Sequence, residues 1–113
     1  MKNDMFYVPQ DKNSFIISEE PSDQSTMFVF EGRVSAQNAT EIETRLDTAI
    51  DSGRKYIVLD MNGVEYLSST GIRVLLKAYK RASDLGGGVK IVNPSENVKN
   101  ILCLSALDVL LLS

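Results

Sequence analysis

Histidine is absent from this chain of 113 residues. Its absence excludes Ser-His-Asp and Cys-His nucleophile systems and removes the commonest zinc and iron ligand. Cysteine is nearly absent: Cys103 stands alone, so neither an internal disulfide nor a Cys-x-x-Cys pair can form. It reads as a small core residue of an apolar helix. Long apolar runs are missing too. The most apolar stretch, "ILCLSALDVLLLS", includes Asp108 and falls well short of the roughly 20 residues that span a bilayer. The N-terminus, "MKNDMFYVPQDKNS", mixes both charge signs and lacks the pattern of a secretory signal. The Asn38-Ala39-Thr40 sequon is therefore read as a chance match, and a soluble, cytoplasmic protein without membrane insertion is expected. Positive charge is in deficit, 12 Lys and Arg against 15 Asp and Glu, for a net charge of −3. That balance argues against nucleic acid as a direct partner.

Phosphate-binding glycine patterns are missing as well. The run "GGG" at 86–88 matches neither GxGxxG nor the P-loop, and reads as a helix exit followed by a tight approach to a strand. The carboxylates are scattered; Asp60 and Glu65 lie near a hydroxyl cluster, but such residues usually solvate or cap. No catalytic residue, metal site or cofactor is expected.

What is present is a globular composition, 43% hydrophobic and 24% charged, in a length that suits one domain. Residues 1–13 read as a polar lead-in, with a short extended piece at Met5–Val8. The domain proper is expected over 14–113. "SFIISEE" (14–20) and "TMFVFEG" (26–32) are β-rich and flank the turn cluster "PSDQS", giving a hairpin with Gly32 as its exit. A helix follows, with Ser35 as N-cap, Gly53 as C-terminal glycine, and Ala39, Ile42, Leu46, Ala49 and Ile50 on one apolar face. "KYIVLDM" reads as a strand covered on both faces. After a loop, "NGVEYLSST", a second helix spans about Gly71 to Asp84. "VKIVN" is the next strand, Ser95 caps a third helix over Glu96–Ser105, and "DVLLL" closes the chain as a last strand. The order β-β-α-β-α-β-α-β implies an α/β fold with a mixed, mostly parallel sheet and packed helices.

The loop holds three consecutive hydroxyls, Ser68, Ser69 and Thr70, before Gly71. One hydroxyl suffices to cap a helix. The surplus lies beyond the carboxyl end of a strand, where α/β sheets meet their ligands and partners. On the helix that follows, Ile72, Leu75, Leu76, Tyr79 and Ala82 should face the sheet. Arg73, Lys77, Lys80, Arg81 and Asp84 then form a mostly basic outer stripe, suited to an acidic partner surface.

"FEGRVSAQNATEIETRLDTAI", with the run from "YIVLDMNGVEYLSSTGIRVLL" to "VKIVNPSENVKNIL", resembles the STAS domain family, in particular its anti-sigma-factor antagonists. Tyr66–Val74 is the most specific part, resembling an apolar pair, Asp-Ser-Ser/Thr-Gly and an apolar helix start. Two positions depart from the family pattern: Ser68 stands where it has aspartate, and Ser35 where an acidic residue is common. The resemblance implies a non-enzymatic switch that binds an anti-sigma factor with Ser/Thr kinase activity and thereby frees a sigma factor. It implies phosphorylation of Ser69, with Ser68 and Thr70 as alternatives, and resetting by a PP2C-like phosphatase. Ser68, Ser69, Thr70, Gly71, Arg73 and Lys77 would form the partner-binding surface. Two other readings stay open: a nucleotide-binding STAS domain, and an unphosphorylated STAS subunit of a membrane lipid-transport ATPase.

Overall fold

In the computed structural model, the described residues are 15–105, 107 and 111. They form β1 (Phe15–Pro21), β2 (Ser25–Val34), α1 (Ala39–Asp51), β3 (Tyr56–Leu67), α2 (Ser69–Asp84), β4 (Gly88–Val92) and α3 (Glu96–Leu104). The sheet order is β1-β2-β3-β4; β1 pairs antiparallel with β2, and the β2–β3 and β3–β4 pairs are parallel. The expected α/β class, mixed sheet and alternation of elements are all present. The lead-in over 1–13 and its extended piece at Met5–Val8 lie outside the described residues. So does most of the expected last strand. Leu111, its one described residue, is helical, and its N–H donates to the Leu107 carbonyl at 3.0 Å. The reading of Cys103 as a core residue is corrected: it is exposed on α3, whose buried face is Val98 and Leu102.

Both parallel crossovers step the same way across the sheet. A right-handed connection then places α1 and α2 on one face. The inward residues of that face, Thr26, Phe28, Phe30, Ile57, Leu59, Met61, Val89 and Ile91, are fully or almost fully buried. Thr26 Oγ1 accepts from Arg54 Nε at 2.9 Å, which satisfies the one buried threonine. On the opposite face Met27, Val29, Val58 and Val92 are half-buried, and Ile16 and Tyr56 are exposed. The reading of β3 as covered on both faces is therefore corrected: an apolar run does not reveal which way the crossovers step.

The α1 face is as expected, with Ala39, Ile42, Leu46, Ala49 and Ile50 buried. Its start is not. Asn38, rather than Ser35, occupies the N-cap position, and its side chain turns back to accept from Ser35 N–H at 3.0 Å and donate to Arg33 O at 2.9 Å. That knot carries the chain from β2 into the helix. Gly32 is not the exit of β2 either; it has φ 105° at a register shift, and the strand continues to Val34.

The "GGG" run behaves as the sequence suggests. Gly86, at φ 86°, follows the last turn of α2, where its N–H donates to Ser83 O and that of Gly87 to Ala82 O at 3.0 and 2.7 Å. These two bonds close the helix with a glycine in the left-handed region. At Gly87 a Cβ would sit 2.1 Å from the backbone oxygen of Lys55, whereas at Gly88 it would meet nothing within 4 Å. Gly87→Ala should therefore cost about 3 kcal/mol, because backbone on both sides must move. Gly88→Ala should stay within about 0.5 kcal/mol of wild type. Urea denaturation of the two variants measures the contrast, and equal midpoints would contradict it.

Candidate functional site

Residues 62–67 were expected as loop, but β3 continues through them. Its pairing with β2 shifts register between Val29 and Glu31 and again between Gly32 and Arg33, so β3 carries extra residues opposite β2. Buried positions on β3 accordingly run 57, 59, 61, 64 and 67, passing from a spacing of two to a spacing of three. A two-residue alternation cannot be read through such bulges. The pairing ends at Val34 and Leu67, and the Ser68 N–H then donates to Val34 O at 2.8 Å.

At Ser68 the chain turns into α2. Its hydroxyl oxygen accepts from Gly71 N–H at 3.0 Å and its carbonyl from Ile72 N–H at 2.9 Å. Ser68 is thus the cap, and it is buried at 8% exposure. Ser69 opens the helix and is exposed; Thr70 is half-buried. The three hydroxyls therefore differ in role: one holds the first turn, one faces solvent and one lies between. Gly71 is buried in the same turn, where an added Cβ would lie 2.6 Å from Val34 Cγ1. Its lack of a side chain lets α2 start against the end of β2.

Other side chains approach this end of the sheet. Arg33 and Tyr66 are register partners, and the guanidinium carbon lies 4.5 Å from the centre of the Tyr66 ring, a cation–π contact on a partly exposed aromatic. The sequence reading missed this pair, which only the bulged register brings together. Ser95 Oγ donates to Val64 O at 2.6 Å while capping α3 through Val98 N–H at 3.2 Å. Asn97 Nδ2 reaches Glu65 O at 2.8 Å, so α3 also fastens the end of β3. Asp60 is spent elsewhere: its oxygens accept from Asn62 N–H and Asn93 Nδ2.

The basic stripe of α2 is only partly free. Lys77 is hydrogen-bonded to Glu43, and Arg81 contacts Asp47 and Asp51 at 2.6 Å each. The three acids recur every four residues on α1 and face two bases spaced four apart on α2. Glu43 holds the Lys77 ammonium above its ordinary pKa by hydrogen bond and charge, and Asp51 and Asp47 do the same for Arg81. Arg73 and Lys80 are exposed and unpaired among the described residues. The inward face of α2 is also turned from expectation: Gly71, Val74, Leu75, Ala78 and Ala82 are buried, whereas Ile72, Leu76 and Tyr79 are half-buried.

Among the described residues no cluster of three or more metal-ligating side chains occurs. No helix among them is long and apolar enough to cross a membrane. One pair does have the Ser-x-x-Lys spacing, Ser52 and Lys55, which the sequence reading overlooked. Ser52 Oγ donates to Ala49 O at 2.7 Å, and Lys55 Nζ lies over the Tyr56 ring, so the two do not form a dyad.

This chain belongs to the STAS domain family, whose model matches residues 16–111. A provisional anti-sigma factor antagonist of Bordetella bronchiseptica, BtrV, is 29% identical over 75 residues, covering 66% of this chain and 65% of that one. A second provisional antagonist, the TM1081 homologue of Thermotoga neapolitana, is 31% identical over 62 residues, 55% of each chain. Both matches span under two-thirds of the relative's own length. The fold agrees with that of Thermotoga maritima TM1081 (TM-score 0.78, 22% identity, 86% of each chain). It also agrees with the antagonist SpoIIAA in its unphosphorylated form (TM-score 0.73, 16% identity, 87% of this chain and 88% of that one).

The cap geometry separates the two serines. Ser68→Ala should destabilise the domain by about 1 kcal/mol through loss of the cap. Ser69→Ala should change stability by less than about 0.5 kcal/mol. Chemical denaturation read by circular dichroism compares them, and a larger loss at position 69 would refute the assignment of the cap.

Proposed function

We propose that this domain is an anti-sigma-factor antagonist: a binding module, not an enzyme, that works in the cytoplasm. It binds an anti-sigma factor that is also a Ser/Thr kinase, and so frees a sigma factor. Phosphorylation of Ser69 switches it off, and a PP2C-like phosphatase restores it. The observation that carries this reading is the separation of the hydroxyls: Ser68 is buried and capping, while Ser69 is exposed in the first turn of α2. A kinase can reach the second without dismantling the first. The names of the BtrV and TM1081 relatives support the class, and SpoIIAA, whose fold is shared, is known in a phosphorylated form. Ser69 and Arg73 supply the exposed part of the partner surface, with half-buried Thr70 beside them and Ser68 and Gly71 shaping it from below. Lys77 contributes from within its pair with Glu43.

A phosphate on Ser69 adds about −1.5 to −2 charges at the positive end of a helix dipole, a favourable place for an anion. It should act on the interface and leave the fold intact. Incubation with ATP and the cognate anti-sigma kinase, followed by mass spectrometry, should find one phosphate on wild type and none on Ser69→Ala. Full phosphorylation of Ser69→Ala would overturn the assignment. The phosphorylated protein should melt within about 5 °C of the unmodified one, as measured by calorimetry. A much larger drop would show that the modification acts by unfolding.

A further inference from the structure

The cations of α2 are not equivalent. Lys77 is engaged by Glu43, and Arg81 by Asp47 and Asp51. Arg73 is exposed and has no ion-pair partner among the described residues, and it follows Ser69 by one helical turn. Residues at i and i+4 lie on the same helix face with Cβ atoms about 5–6 Å apart. Side chains lean toward the helix N-terminus, so the later of the two reaches back over the earlier. Exposed Ser69 has Arg73 at i+4 and half-buried Thr70 has it at i+3, whereas the step of four from capping Ser68 leads to Ile72. Lys80, the other unpaired cation, is eleven residues from Ser69, about 16 Å along the axis. Arg33 belongs to β2 and rests on the Tyr66 ring.

We propose that Arg73 is the counter-charge that captures a phosphate on Ser69. The inference rests on the reading of Ser69 as the acceptor. In the transfer, Ser69 Oγ bonds to the γ-phosphorus of ATP as the bond to the ADP oxygen breaks, and the hydroxyl proton passes to a base on the kinase. The product is a phosphate monoester whose oxygens match the planar fork of a guanidinium. Phosphorylation then changes the surface twice over. It adds an anion at position 69 and ties down the free cation at position 73, so a partner that had met a basic patch meets a closed ion pair.

The experiment places phosphoserine directly at position 69 by genetic-code expansion, in the otherwise wild-type chain, in Arg73→Gln and in Lys80→Gln. The second ionisation of the phosphate is followed by 31P NMR, with circular dichroism confirming that all three are folded. Arg73→Gln should raise the pKa of that ionisation by about 0.3, the equivalent of one exposed helix ion pair. Lys80→Gln should leave it unchanged. Identical titrations in the parent and Arg73→Gln, or an equal rise in Lys80→Gln, would overturn the proposal. Because no kinase is used, a kinase that modifies another residue would refute the reading of Ser69 without altering this result.

Discussion

The parallel pairing of β2 with β3 sets the position of everything at the carboxyl end of this sheet. It survives two register shifts and ends only when Val34 O accepts the amide proton of Ser68. That bond leaves Ser68 with an extended backbone and its hydroxyl over the first turn of α2, so the helix starts at a fixed place. The close approach of Gly71 to Val34 seals the same junction. A chain with a looser strand end would present the hydroxyls as a mobile loop. Here they are a fixed series in which burial falls from Ser68 to Ser69.

The division among the hydroxyls follows from that junction. A capping oxygen must point back at the helix N–H groups, which buries it, whereas the next residue points outward at the start of the helix. Adding charge to Ser68 would break the cap and place an anion on a buried side chain. Adding it to Ser69 leaves the three hydrogen bonds of Ser68 in place. The same geometry thus makes one serine structural and the other available, a distinction that three adjacent letters do not carry.

Much of the fold was legible because it is local. The apolar spacing of Ala39, Ile42, Leu46, Ala49 and Ile50 needs only a 3.6-residue period, and the glycines at 53 and 86–88 mark helix ends by backbone chemistry. What escaped depends on partners distant in sequence. The strand over 62–67 hides behind bulges that β2 imposes, and the Arg33–Tyr66 contact follows from those bulges. Ser35 reads as a cap, but the helix starts after Asn38, whose side chain caps no helix N–H and instead bonds back to Ser35 N–H and Arg33 O. The inward face of α2 centres on Val74 and Ala78, small or branched residues that let the helix approach the sheet; the larger Ile72, Leu76 and Tyr79 flank the contact.

The charge pattern of α2 makes the same point about function. In sequence it is one basic stripe, and its natural meaning is a long acidic-partner surface. In the fold, α1 supplies Glu43, Asp47 and Asp51 at the matching spacing and takes up Lys77 and Arg81. Exposed ion pairs of this kind contribute little to stability, because water already solvates both charges well. Their larger effect is to edit the surface. They neutralise Lys77 and Arg81 and leave two free cations, Lys80 in the far half of the helix and Arg73 at the hydroxyl end, one turn from Ser69. A single phosphate can then reverse the sign of that end of the helix, which it could not do against an unbroken row of cations.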